Sequence, residues 1–138
     1  MKNYNPKPEE FKTKAEKCAF EIIRWLLRNN MWIDTLIYVN GKRFTCHDGE
    51  HYQYGNTWDC VFVEENKNVA DYVEYHGDFL TMTFEGPLYD VINYSFGSKY
   101  SQSKLAELDE ICKKYGKYWE LGYAWSFSLY DDPSLKTK

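Results

Sequence analysis

The chain has 138 residues, 43% of them hydrophobic and 28% charged, and a net charge of −4 at neutral pH. A chain of this length can build one core of its own without metal or disulfide staples, and its acidic balance argues against a general phosphate-backbone binder, which would gather Lys and Arg on one surface. No run approaches the roughly 20 apolar residues that cross a bilayer, and "MKNYNPKPEEFKTK" contains no apolar leader, so a soluble cytoplasmic protein without membrane contact is expected.

One α+β domain over residues 1–138 is expected. The charge is unevenly spread within it. Residues 1–30 carry seven basic and four acidic groups, residues 31–98 three and eleven, and residues 99–138 seven and six. The acidic middle suits attraction to a basic partner. Cys18, Cys46, Cys60 and Cys112 read as reduced thiols, two of them on apolar helix faces where a thiol behaves as a small hydrophobe.

From Pro8 to Asn29, Phe11, Ala15, Cys18, Ile22 and Leu26 recur at steps of three and four, predicting an amphipathic helix with Pro8 in its first turn. "MWIDTLIYVNGKRFTC" sets Asn40-Gly41 between two strand-like runs, the signature of a type I′ hairpin. That closure would place Val39 opposite Lys42 and Ile37 opposite Phe44. "TWDCVFVEE" predicts a third strand. "DYVEYHGDFLTMTFE" predicts a second hairpin about Gly77-Asp78, with Tyr75 opposite Leu80 and Val73 opposite Met82.

"PLYDVINY" predicts a short helix with Pro87 at its start, and Gln102 to Tyr115 a second long helix capped by Ser101 and stopped at Gly116. Trp119, Leu121, Tyr123, Trp125, Phe127 and Leu129 then alternate with small or polar residues, predicting one long strand. Residues 131–138 lack periodicity and read as a disordered tail. The expected architecture is an antiparallel sheet of five or six strands, built from two hairpins plus a long C-terminal strand, with both long helices on one face.

Two regions carry candidate chemistry. "TCHDGEHYQYGNTWDC", Thr45 to Cys60, gathers donor types that suit zinc or acid–base catalysis. A metal-dependent hydrolase or metalloprotein would use His47, Asp48, Glu50, His51 and Asp59 in catalysis, or His47, His51 and Cys60 as ligands. Spacing opposes this: there is no CxxC and no HExxH, and Gly49 disfavours the helix that would align the two histidines. The preferred reading is a polar loop with a strand cysteine at each end, requiring no cofactor. His76-Gly77-Asp78 likewise reads as a turn, and nothing in the chain has a Gly-rich phosphate fingerprint.

The second region is aromatic. Five Trp, eight Phe and thirteen Tyr exceed what the predicted apolar faces use. Tyr38, Tyr72, Tyr118 and Tyr130 fall on outward strand positions near Glu74, His76 and Glu120, a set that suits protein recognition because tyrosine offers rigid contact area with a polar tip. Small residues Gly122, Ala124, Ser126 and Ser128 leave the outer face either a trough walled by tyrosines or the seat of another layer. The expectation is a non-enzymatic protein-binding module, acting as inhibitor, adaptor or regulatory subunit. One instance would be a phage or mobile-element inhibitor of a nucleic-acid enzyme. Its partner would be a protein with a basic surface, not nucleic acid itself, with a homo-oligomer left open.

Overall fold

In the computed structural model, which describes residues 3–135, helix α1 spans Lys14–Arg28. It starts later than Pro8 because Thr13 and Glu16 form a capping box. Thr13 Oγ1 accepts from the Glu16 N–H, and Glu16 Oε1 accepts from the N–H groups of Thr13 and Lys12. Pro8–Glu10 form a separate 3-10 turn. The Asn40-Gly41 turn joins β1 (Thr35–Val39) to β2 (Lys42–Thr45) with φ of 52° and 74°, and Ile37 faces Phe44 as the turn chemistry requires. β3 is Phe62–Glu64, shortened because Trp58–Cys60 coil into a 3-10 turn, and β4 is Leu80–Phe84. Helices α2 (Pro87–Asn93) and α3 (Lys99–Lys114) follow. Ser98 caps α3, one turn before the expected Ser101, and Gly116 follows its end at φ 72°.

The C-terminal stretch departs from expectation. It folds back at Ala124-Trp125, making β5 (Lys117–Tyr123) and β6 (Ser126–Asp131) an antiparallel pair with an irregularity between Leu121 and Tyr123. The six strands form one antiparallel sheet in the order β3-β2-β1-β4-β6-β5. β4 therefore has β1 on one side and β6 on the other, and both of its edges are consumed. No edge remains for residues 71–79, so the hairpin expected about Gly77-Asp78 does not form. Of the expected tail, Asp131 ends β6, Pro133–Leu135 form a 3-10 turn, and 136–138 lie outside the described residues.

Register sorts the side chains into two faces. Val63, Phe44, Ile37, Met82 and Phe127 line up across five strands on the inner face, each at most 3% exposed. Ile22, Ile23, Trp25 and Leu26 of α1, Leu88 of α2 and Leu108 of α3 complete this core, each such side chain contributing about 1.5–3 kcal/mol through burial. The matching outer row runs Glu64, Arg43, Tyr38, Thr81, Ser128, Glu120. That polar and aromatic row is the floor of the candidate site.

Candidate binding surface

The Thr45–Cys60 segment closes on itself. Asp48 Oδ1 accepts from the N–H groups of Glu50 and His51 at 2.7 and 2.8 Å, and its Oδ2 accepts from Gln53 Nε2 at 2.9 Å. Those N–H donors hold the Asp48 carboxyl far below the ordinary carboxylate range, as in any Asx-stabilised turn. His47 Nδ1 accepts from the Gly49 N–H, and its ring stands edge-on to Tyr52 at 4.6 Å. His51 and Asp59 are exposed. Cys46 is in the core, where burial pushes its thiol pKa up. Cys60 Sγ lies only 2.7 Å from where a side chain on Gly55 would begin. Among the described residues no three His, Cys, Asp or Glu side chains stand together as a metal site. The donors that share one stretch of sequence are thus dispersed in space.

On the outer face of the sheet, the connection from β3 to β4 forms a covering layer. Asn66 turns the chain at φ 58°, the Lys67 N–H donates to Gly41 O at 2.7 Å, and Asn68 caps the 3-10 turn Val69–Asp71. The next residues cross the sheet. Tyr72 stacks on Tyr38 at 5.7 Å, Val73 is 1% exposed, and Tyr75 meets Gly122 so closely that a Cβ there would sit 3.2 Å from Tyr75 Cβ. The Gly77 N–H donates to Ser128 Oγ at 3.0 Å, and Ser128 Oγ shares a 2.7 Å hydrogen bond with Thr81 Oγ1. Small residues are needed on β5 and β6 because another stretch of backbone lies against them. The open trough is therefore not present.

This layer changes the standing of individual residues. Tyr38, expected to face water, is on the outer face but only 4% exposed, covered by Tyr72 and by Arg43, whose guanidinium lies 4.9 Å from the Tyr72 ring centre. Tyr130 is half-buried beside Gly77 and Tyr118, while His76 lines a cleft of about 550 Å³ between the hairpin tip and the covering layer. Tyr72, Glu74, Tyr118 and Glu120 remain exposed on this face. Tyr75 and Tyr123, which alternation groups with the inward-facing Leu80 and Phe127, are instead outer-face residues 5.2 Å apart. Tyr123 also stacks on Trp125 at 4.7 Å. No period-2 signal finds them, because Tyr75 is not in a strand and Tyr123 follows the β5 irregularity.

The charges of the face divide along the sheet. Toward β3, Arg43 is neutralised by Glu64 at 2.5 Å and the Lys67 ammonium lies 5.9 Å from the Tyr72 ring centre, whereas the β5 side carries carboxylates. Glu120 accepts from the Tyr118 hydroxyl at 3.2 Å and Glu74 from that of Tyr123 at 3.4 Å, and neither has an ion-pair partner among the described residues. Burial, followed by the neighbouring carboxylate, raises the pKa of both phenols, which therefore remain protonated donors at neutral pH. A carboxylate whose hydrogen-bond partner is a neutral tyrosine hydroxyl can still pair with a cation from outside. Comparison with protein-family models, with curated proteins and with solved structures finds no match.

Proposed function

We propose that this chain is a non-enzymatic protein-binding module that engages a partner's basic surface through the outer sheet face, as an inhibitor, adaptor or regulatory subunit. The observation that carries this reading is the coincidence of exposed rings with carboxylates that have no ion-pair partner among the described residues: Tyr118 with Glu120, and Tyr75, beside the half-buried Tyr123, with Glu74. Aromatic side chains bring contact area at low entropic cost, and the carboxylates add steering and register. A mobile-element inhibitor occupying the basic site of a nucleic-acid enzyme is one form such a module takes. Soluble cytoplasmic action is part of the proposal; no helix among the described residues is long and apolar enough to cross a membrane.

The test is affinity capture with the full chain from native lysate, identification of the captured protein, and titration of the purified pair. Tyr118→Ala and Glu74→Lys are expected to weaken binding at least several-fold, while the His47→Ala, His51→Ala double variant binds as wild type. Unchanged affinity in both surface variants, or loss of affinity in the histidine variant, refutes the proposal.

A further inference from the structure

The two edges of the sheet are treated differently. β3 is three residues long and is covered: the Val63 N–H donates to Tyr4 O at 2.8 Å, and Tyr4 closes an antiparallel bridge there. β5 is seven residues long and, among the described residues, pairs with β6 alone. Among the described residues no backbone hydrogen bond reaches its other side, an open edge of the kind that native proteins ordinarily blunt with charge, bulges or a cover. Lys117 does little here, because its ammonium is taken by Asp131 and lies 4.2 Å from the Phe79 ring centre. The irregularity after Leu121 confines the regular edge to Lys117–Leu121.

Carboxylates flank that edge on both faces. Glu120 points outward from β5 itself. On the inner side Asp109 of α3 accepts from Trp119 Nε1 at 2.8 Å, which holds an exposed acid directly beside the strand. We infer that β5 receives an extended, basic segment of the partner protein as an added strand, with Lys or Arg on both of its alternating faces. Main-chain hydrogen bonds supply the pairing, and Glu120 and Asp109 select the charge. A second copy of this chain is the poorer occupant, because it would bring its own Glu120 and Asp109 to the same seam. The inference rests on the reading of the outer face as a protein-binding surface and specifies how that partner is gripped.

The experiment selects random nonapeptides, displayed on phage, against the full chain, and resynthesises those enriched. Expected are sequences alternating with Lys or Arg that slow amide hydrogen exchange in Lys117–Leu121 at least tenfold and lose about tenfold in affinity to Glu120→Lys. Two derivatives of each peptide, N-methylated at odd or at even positions, distinguish strand addition from surface attraction: one set abolishes binding and the other is tolerated. Basic peptides that bind without protecting β5, or that tolerate both methylation patterns, overturn strand addition while leaving the binding-surface reading intact. Enrichment of acidic peptides, or none at all, overturns strand addition; the capture experiment with Tyr118→Ala decides the broader reading separately. Dimerisation of the unliganded chain that protects the same β5 amides also overturns the inference, since a second copy would then hold the edge.

Discussion

Ser128→Ala tests whether the layer over the outer face is held as described. Ser128 is 2% exposed, and its hydroxyl serves both the Gly77 N–H at 3.0 Å and Thr81 Oγ1 at 2.7 Å. Removing it leaves the Gly77 donor and the Thr81 hydroxyl without that partner, under a layer whose crossing residue Val73 is 1% exposed and with Thr81 itself at 1%. A buried orphaned group costs about 1–3 kcal/mol, so the variant should lose about 2 kcal/mol, a fall of about 7 °C in Tm for a chain of this length. Urea unfolding should show a lower midpoint with unchanged slope. Because the lost bond belongs to the covering segment, hydrogen exchange at Gly77 should accelerate while the inner row of Ile37 and Met82 stays protected.

A double-mutant cycle sharpens this. Thr81→Val removes the hydroxyl at nearly constant shape, so the pair Ser128→Ala and Thr81→Val should destabilise by less than the sum of the single variants. A Ser128→Ala protein within 0.5 kcal/mol of wild type, with Gly77 exchanging at the wild-type rate, refutes the claim that this bond holds the layer; that threshold is about the ordinary scatter of surface substitutions.

Other consequences follow from the same contacts. Burial raises the Glu16 carboxyl pKa, but the N–H groups of Lys12 and Thr13, the Asn40 amide and Lys42 outweigh it and hold the value down at about 2, against an ordinary 4.5. Its contribution is therefore fully present above pH 4.5 and is lost as the pH falls toward 2, a swing of about 3 kcal/mol. The stability gap between wild type and Glu16→Gln in urea should close over that same interval. Burial raises the Cys18 and Cys112 thiols to about 12, so a thiol reagent should label Cys60 before either of them in the native protein, and all four cysteines in denaturant. Tyr72→Ala should cost about 1 kcal/mol in urea beyond lost area, because it removes the ring stacked on Tyr38. Melting temperature should be indifferent to chelator, and a chelator-induced fall would restore the Thr45–Cys60 segment as a metal centre.

Legibility from sequence followed the range of the interaction responsible. The β1–β2 register came from one local requirement, two positive φ angles at Asn40-Gly41, and it is found as expected. The helices were visible in their apolar spacing, although the start of α1 depended on a capping box at Thr13 that apolar periodicity does not encode. The β5–β6 reversal was invisible for a definite reason. Ala124-Trp125 contains none of the usual turn residues, and the irregularity after Leu121 lets apolar alternation continue through the turn. Gly77-Asp78 carried the opposite error: the turn chemistry suggested a hairpin, but Gly77 is not among the positive-φ glycines, and β4 already has two neighbours.

The candidate surface was only half legible, and the missing half is the more informative. Tyr38, Tyr118, Glu120 and Tyr130 share one face, Tyr118 and Tyr130 as cross-strand partners on β5 and β6 and not as members of one strand. Alternation could not say which of them meet water. That depends on residues 66–79, a connection without ladder pairing that is held by a few contacts distant in sequence: Lys67 to Gly41, Tyr72 to Tyr38, Gly77 to Ser128. Gly41 and Gly77 belong to recognisable turn signals, but no local motif encodes which distant residue each of them meets. The small residues of β5 and β6 were the one sequence sign of such a layer, because a strand gives up side-chain packing only where backbone approaches closely. With that layer in place, the exposed ring–carboxylate pairs of this face, Tyr118 with Glu120 and Tyr75 with Glu74, lie toward β5, and the proposed grip moves from the middle of the sheet to its edge.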